Sequence, residues 1–156
     1  MRDLNQAIYE RLSGVEILAG GGAQAQASLK SLLAPDALSG RPAVFSGNMS
    51  DTGVIYPCIT YRANAGVRDP GIGSVYEVDR LVYDFEIWSN SRSVSIVSQI
   101  ENNMSSLLDE RRQIAPPLMI DGYVFMGECF VPLVMMYNRE FHAWYGILRY
   151  QFVASR

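Results

Sequence analysis

Two carboxylates, Asp84 and Glu86, stand two residues apart in a segment that alternates like a strand, which puts them on one face of a sheet. A pair at that spacing can move a proton or hold a cation. The plainer reading is a solvated sheet face, or charges that meet a partner subunit. His142 is the one histidine, and no G-x-S-x-G or similar nucleophile context accompanies it. Gly71-Ile72-Gly73 follows Asp-Pro rather than a strand, and no helix opens after it, so it reads as turn chemistry and not as a nucleotide loop. Cys58 and Cys129 both sit in apolar, strand-like text and read as buried thiols. Two cysteines and one histidine are too few for a zinc site. The expectation is a protein with no cofactor, no metal and no enzymatic activity.

The remaining polar groups point to contacts rather than to chemistry. Arg62, Arg68, Arg80, Arg92, Arg111 and Arg112 are scattered, with no aromatic-interleaved basic stripe. Lys+Arg number 13 against 16 Asp+Glu, a net charge of −3, so the footprint of a nucleic-acid gripper is missing. Hydrophobic residues make up 49% and charged residues 19% of 156 residues, the balance of a globular chain with one sizeable core. The aromatics are more telling. Trp88 shares the face of Asp84 and Glu86, while Tyr145 and Ile147 oppose Trp144 and Leu148. Strands apolar on both faces need cover on both faces, and Tyr, Trp, Met and Arg are typical of interface cores. A partner subunit supplies that cover on one reading; a closed, barrel-like sheet supplies it on the other.

The elements that position these residues follow from periodicity. Leu4, Ile8 and Leu12 recur every four residues behind Asp3, which predicts a short capped helix ending at Ser13-Gly14. Gly20-Gly21-Gly22 and the Ala-Gln repeat after it read as a flexible connector over 15–27, with a second helix possible over 24–33. A short strand is expected at 43–45 and another over 54–61. Pro57 requires that second strand to lie at an edge or to begin there. Residues 62–75, with Gly66 and Asp69-Pro70-Gly71, read as a long loop or protruding hairpin tip. The clearest strand spans 76–88: Leu81, Tyr83, Phe85 and Ile87 form one face, Val82, Asp84, Glu86 and Trp88 the other. Val97, Ile100, Met104, Leu107 and Leu108 then predict an amphipathic helix. Asp121-Gly122 predicts a tight hairpin, and strands are expected over 128–137 and 143–153. The fold class is α+β: a mostly antiparallel sheet with two main helices packed on one face, in a single domain over 1–156. The longest apolar run is eight residues and contains Pro132, which makes no membrane span. No signal peptide is visible, so synthesis and assembly are expected in a cytoplasm.

This order resembles the phage tail terminator family, the tail-completion or tail-to-head joining proteins. The resemblance rests on the N-terminal helix Leu4-Asn5-Gln6-Ala7-Ile8-Tyr9-Glu10-Arg11-Leu12 and on Tyr56-Pro57-Cys58-Ile59-Thr60-Tyr61. It continues through Tyr83-Asp84-Phe85-Glu86-Ile87-Trp88-Ser89, the helix directly after it, and the closing segment from His142 to Tyr150. The resemblance implies a homo-hexameric ring on the head-proximal end of the tail tube of a virion. Such a ring stops tube polymerisation and docks to the head connector or neck protein. Genome DNA passes through its lumen without specific binding. The interface residues expected on this basis are Arg62, Arg68, Asp69, Asp84, Glu86, Trp88 and Tyr145. A neck or head-closure protein, or another tail-tube-associated component, is the neighbouring alternative. A small ligand-binding domain lined by the aromatics is the alternative of a different class.

Overall fold

The architecture is that of a computed structural model, which describes residues 3–47, 55–70, 77–112 and 114–155, with the backbone alone at 65–70 and 77–79. Among the described residues, three α-helices and six strands follow in the order α1 Leu4–Ser13, α2 Gly20–Leu32, β1 Val44–Ser46, β2 Cys58–Pro70, β3 Glu77–Ser89, α3 Ser95–Leu108, β4 Leu118–Ile120, β5 Tyr123–Asn138 and β6 Ala143–Ser155. The strands form one sheet in the order β1-β2-β3-β6-β5-β4. Among the described residues only β1–β2 is parallel; the other four pairings are antiparallel. The fold is therefore α+β, as its periodicity predicts.

The helices cover one face. Leu4, Ile8 and Leu12 of α1, Leu29 of α2, and Val97, Ile100 and Met104 of α3 pack with Tyr83, Phe85, Ile87, Leu148, Tyr150 and Phe152 of the central strands. The period-two alternation of β3 and β6 delivers those aromatics to one side, and burying them is the main source of stability. Phe85 meets Tyr150 edge-on at 5.4 Å and Tyr83 meets Phe152 the same way at 5.7 Å. The Tyr150 hydroxyl, buried with its ring, is 2.7 Å from Ser105 Oγ of α3. Asp3 caps α1 by accepting from the Gln6 amide at 2.8 Å, and Gly14 ends that helix in the left-handed region at φ 78°. Arg11, only 2% exposed, pairs with Glu16 at 2.8 Å and donates to the carbonyls of Leu107 and Pro116. It ties the end of α1 to the segment leading from α3 to β4.

One expectation needs correction and another is narrowed. The connector read at 15–27 is helical from Gly20 onward, so α2 starts four residues before the second helix expected from Gln24. The glycines serve packing there. A Cβ on Gly21 would lie 2.8 Å from Ile114, and one on Gly22 would lie 3.1 Å from Leu18. The segment read at 62–75 as a long loop or protruding hairpin tip is strand as far as 70, in keeping with the hairpin: β2 runs to Pro70 and pairs with β3 from Cys58↔Trp88 to Pro70↔Glu77. A bulge between Ala63 and Ala65 absorbs the irregular sequence. The hairpin tip, including Gly71-Ile72-Gly73, lies outside the described residues. Pro57 stands immediately before β2, which resolves its two readings in favour of a strand start. The Asp121-Gly122 turn joins β4 to β5 with both φ values positive, 50° and 84°, as a two-residue hairpin of this kind requires.

Candidate interaction face

The face of the sheet opposite the helices carries the polar residues that the sequence singles out. Register arranges them in rows. Arg62 of β2 pairs with Asp84 of β3, which pairs with Arg149 of β6. Thr60, Glu86 and Ile147 make the next row, and Cys58, Trp88 and Tyr145 the third. Five of the seven expected interface residues, Arg62, Asp84, Glu86, Trp88 and Tyr145, therefore occupy three consecutive rows. Arg68 and Asp69 lie apart, on the distal arm of the β2–β3 hairpin, opposite Asp79 and Val78.

The charged row is tightly bonded. Arg149 Nε donates to Asp84 Oδ1 at 2.5 Å, and Asn64 Nδ2, from the β2 bulge, donates to Asp84 Oδ2 at 2.8 Å. The hydrogen bond and the charge of Asp84 raise the guanidinium pKa of Arg149 above its ordinary value. Both carboxylate oxygens are thus engaged, which suits Asp84 to fixing the face rather than to moving protons. Glu86 accepts from Trp88 Nε1 at 3.1 Å.

The aromatic row is covered by the chain itself. Trp88 stacks on Tyr145 with ring centroids 4.5 Å apart and planes 13° from parallel, and Phe141 meets it edge-on at 5.7 Å. Ala43, Cys58 and Ala143 complete this second, smaller cluster, and Trp88 is left 4% exposed. The cover that the sequence assigns to a partner subunit or a closed barrel comes, for Trp88, from the Phe141 turn and the β1 end of the sheet. Burial, and then the charge of Glu86, push the Cys58 thiol up to about 12, so it stays protonated and inert at neutral pH. His142 occupies the turn before β6 with φ 49°.

Three participants were not nominated from sequence. Arg149 was legible, because it alternates in phase with Tyr145 and Ile147 and so must share their face. Asn64 was not, because its role depends on a bulge. Phe141 was not, because a turn residue gives no periodic signal.

Exposed apolar side chains occur on β4 and β5 and also elsewhere, with Ile17 and Leu38 the most exposed. Met119 is 61% exposed, Phe130 43%, Val134 51% and Tyr137 47%. No helix among the described residues is long and apolar enough to cross a membrane, and none of those residues form a cluster of three or more metal-ligating side chains.

No protein-family model matches the sequence, and no curated protein matches it either. A chain of the solved structure described as "Virion of native gene transfer agent (GTA) particle" is similar in fold, with a TM-score of 0.52 and 10% sequence identity. The likeness covers 83% of this chain and 92% of that one. At that identity it is a likeness of fold.

Proposed function

We propose that this chain is a virion structural protein that forms a ring at the head-proximal end of a phage tail tube, ends tube polymerisation and joins tail to head. One observation carries the virion reading: the fold runs over nearly the whole length of a chain from a gene transfer agent virion. The element order of the tail terminator resemblance supports the finer assignment. The surface suits an assembly role as well, since the polar groups of the outer face are bonded to one another and several apolar residues of β5, Phe130, Val134 and Tyr137 among them, are exposed.

Purified protein mixed with purified tails and, separately, with filled heads tests the assignment, with binding followed by electron microscopy. A terminator caps one end of the tails and arrests tube growth. Binding to heads alone favours the neck or head-closure alternative, and binding to neither removes the virion reading.

A further inference from the structure

A cleft of about 410 Å³ opens between the C-terminal end of α1, the α1–α2 connector, α2 and the loop that leads into β1. Ser13, Val15, Ile17, Gln26, Lys30 and Arg41 are among its lining residues. Both walls are held by bonds of their own. Gln26 Nε2 donates to Arg11 O at 2.9 Å and to Glu16 O at 2.7 Å, which ties α2 to the connector. In the loop, Asp36 N donates to Arg41 O at 2.7 Å and Gly40 N donates to Asp36 O at 2.8 Å, while a single antiparallel bridge joins Pro35 to Pro42. A cleft with walls fixed in this way loses little freedom when a partner arrives.

The charge of the cleft is unmatched. Lys30 stands in the last turn of α2 and is the one lysine of the sequence. Among the described residues, neither its ammonium nor the Arg41 guanidinium has a hydrogen bond or an ion pair. The acids of the two walls are engaged elsewhere. Glu16 takes the Arg11 guanidinium with both carboxylate oxygens, and Asp36 Oδ2 accepts from the amide and the hydroxyl of Ser39 in its own loop. Apolar groups stand beside the two cations. Val15 and Ile17 are exposed, and so is Leu38 in the loop that carries Arg41. Ser13 adds a hydroxyl whose buried Oγ has no hydrogen-bond partner among the described residues, the kind of group that a bound polar atom or water satisfies.

We infer that this cleft docks an acidic segment of another protein, in which carboxylates are flanked by apolar side chains. Lys30 and Arg41 take the carboxylates, and Val15 and Ile17 take the apolar groups. A guanidinium fork and an ammonium in one cleft match carboxylate oxygens in charge and in hydrogen-bonding geometry. Nucleic-acid phosphates would match the cations too, but a path for a nucleic acid adds further cations and stacking aromatics, and the lining holds neither. A small metabolite needs to be largely enclosed, whereas Val15, Ile17, Lys30 and Arg41 all stand at the surface. The inference concerns a different part of the molecule from the outer face of the sheet and does not depend on the ring.

The probe is the peptide acetyl-Leu-Glu-Leu-Glu-Leu-amide, titrated into the isotope-labelled full chain and followed by NMR. Its glutamine counterpart, inorganic phosphate and a thymidine oligonucleotide are titrated in parallel. The acidic peptide should shift the signals of Ile17, Lys30 and Arg41, and the glutamine peptide should bind at least about tenfold more weakly. Carbodiimide should couple a peptide carboxylate to Lys30, the one side-chain amine of the chain. Lys30→Glu combined with Arg41→Glu should abolish the shifts and leave the melting curve unchanged, because neither side chain has a bond to lose. Equal binding of the two peptides overturns the role of charge. Tighter binding of the oligonucleotide, or phosphate alone reproducing the shifts, identifies a phosphate site and overturns the protein partner. Coupling of Lys30 to a second copy in preference to the peptide identifies self-association and overturns a foreign partner. Unmoved signals at 17, 30 and 41 with every probe overturn the cleft as a docking site, and the tail-capping assay still judges the virion reading separately.

Discussion

Arg149 Nε donates to Asp84 Oδ1 at 2.5 Å across the β3–β6 ladder, and the second carboxylate oxygen is taken by Asn64 at 2.8 Å. Asp84 is 8% exposed, whereas the Arg149 side chain is 40% exposed. The two partners therefore differ in what their loss costs. Asp84→Ala strips two nearly buried donor bonds and should destabilise by about 1–3 kcal/mol. Arg149→Ala should cost less than about 1 kcal/mol, because water solvates what remains and the ion pair is screened. Urea unfolding of the two single variants and the double variant measures the coupling, expected at about 0.5–1 kcal/mol and smaller in high salt. Equal stability of Asp84→Ala and the parent protein would falsify the bonded row.

Gly127 sits where α3 ends against β5. A Cβ there would collide with the backbone carbonyl of Leu108 and lie 2.8 Å from Phe152 Cε1. Backbone cannot yield as a side chain can, so Gly127→Ala should destabilise by about 2 kcal/mol or more. At Gly146 the added Cβ meets chiefly the Leu133 side chain, which can turn aside. Gly146→Ala should therefore be the milder change in a thermal melt. The reverse order would mean that the end of α3 is not held against β5 as described.

How far sequence foresaw these features depended on whether the signal was periodic. The alternation in 81–88 placed Asp84, Glu86 and Trp88 on one face, and the register set them in rows with Arg62 and Tyr145. Leu4, Ile8 and Leu12 marked α1 for the same reason. Composition misled at Gly20-Gly21-Gly22, because glycine argues for a coil unless tertiary neighbours demand its small size, and Ile114 and Leu18 do. At 62–70, where Gly66 and Asp69 leave a loop and a protruding hairpin open, the long partner strand supplies the ladder of a hairpin. The cover over Trp88 was invisible because it comes from Phe141 and Ala43, residues distant in sequence with no pattern of their own.

Trp88 tests whether the aromatic end of the outer face belongs to the fold or waits for a partner. The residue is 4% exposed and its ring is held between Tyr145 and Phe141. Trp88→Ala should cost the isolated chain about 3–5 kcal/mol, the loss expected for a large buried aromatic. Trp88→Phe should keep part of that, since the apolar stack survives while the bond to Glu86 does not. Denaturant unfolding at a concentration where the protein is monomeric is the deciding measurement. A loss under about 1 kcal/mol there would mean that the ring gets its cover elsewhere.

Cys58 sets the alkaline limit of the fold. Its thiol is raised from 9.0 to about 12 by burial and then by the charge of Glu86. The unfolded chain gives up this proton near pH 9, while the folded chain keeps it to about 12. Above pH 9 the unfolded state therefore binds fewer protons than the folded state, and stability falls as pH rises. The contribution is fully present below pH 9 and is lost through the window up to about 12. A single such group gives a slope of at most about 1.4 kcal/mol per pH unit. Tyr83, raised by burial from 10.0 to about 12, adds to the fall above pH 10. Chemical denaturation between pH 9 and 10 separates the two, because there the thiol acts before the phenol. The Cys129 thiol is also raised, by burial first, so the comparison is best made in a Cys129→Ser background. In that background Cys58→Ala should flatten the slope over this interval. An unchanged slope would mean that Cys58 ionises in the folded protein as readily as in the unfolded chain, and that Trp88, Ala43 and Ala143 do not exclude water from it.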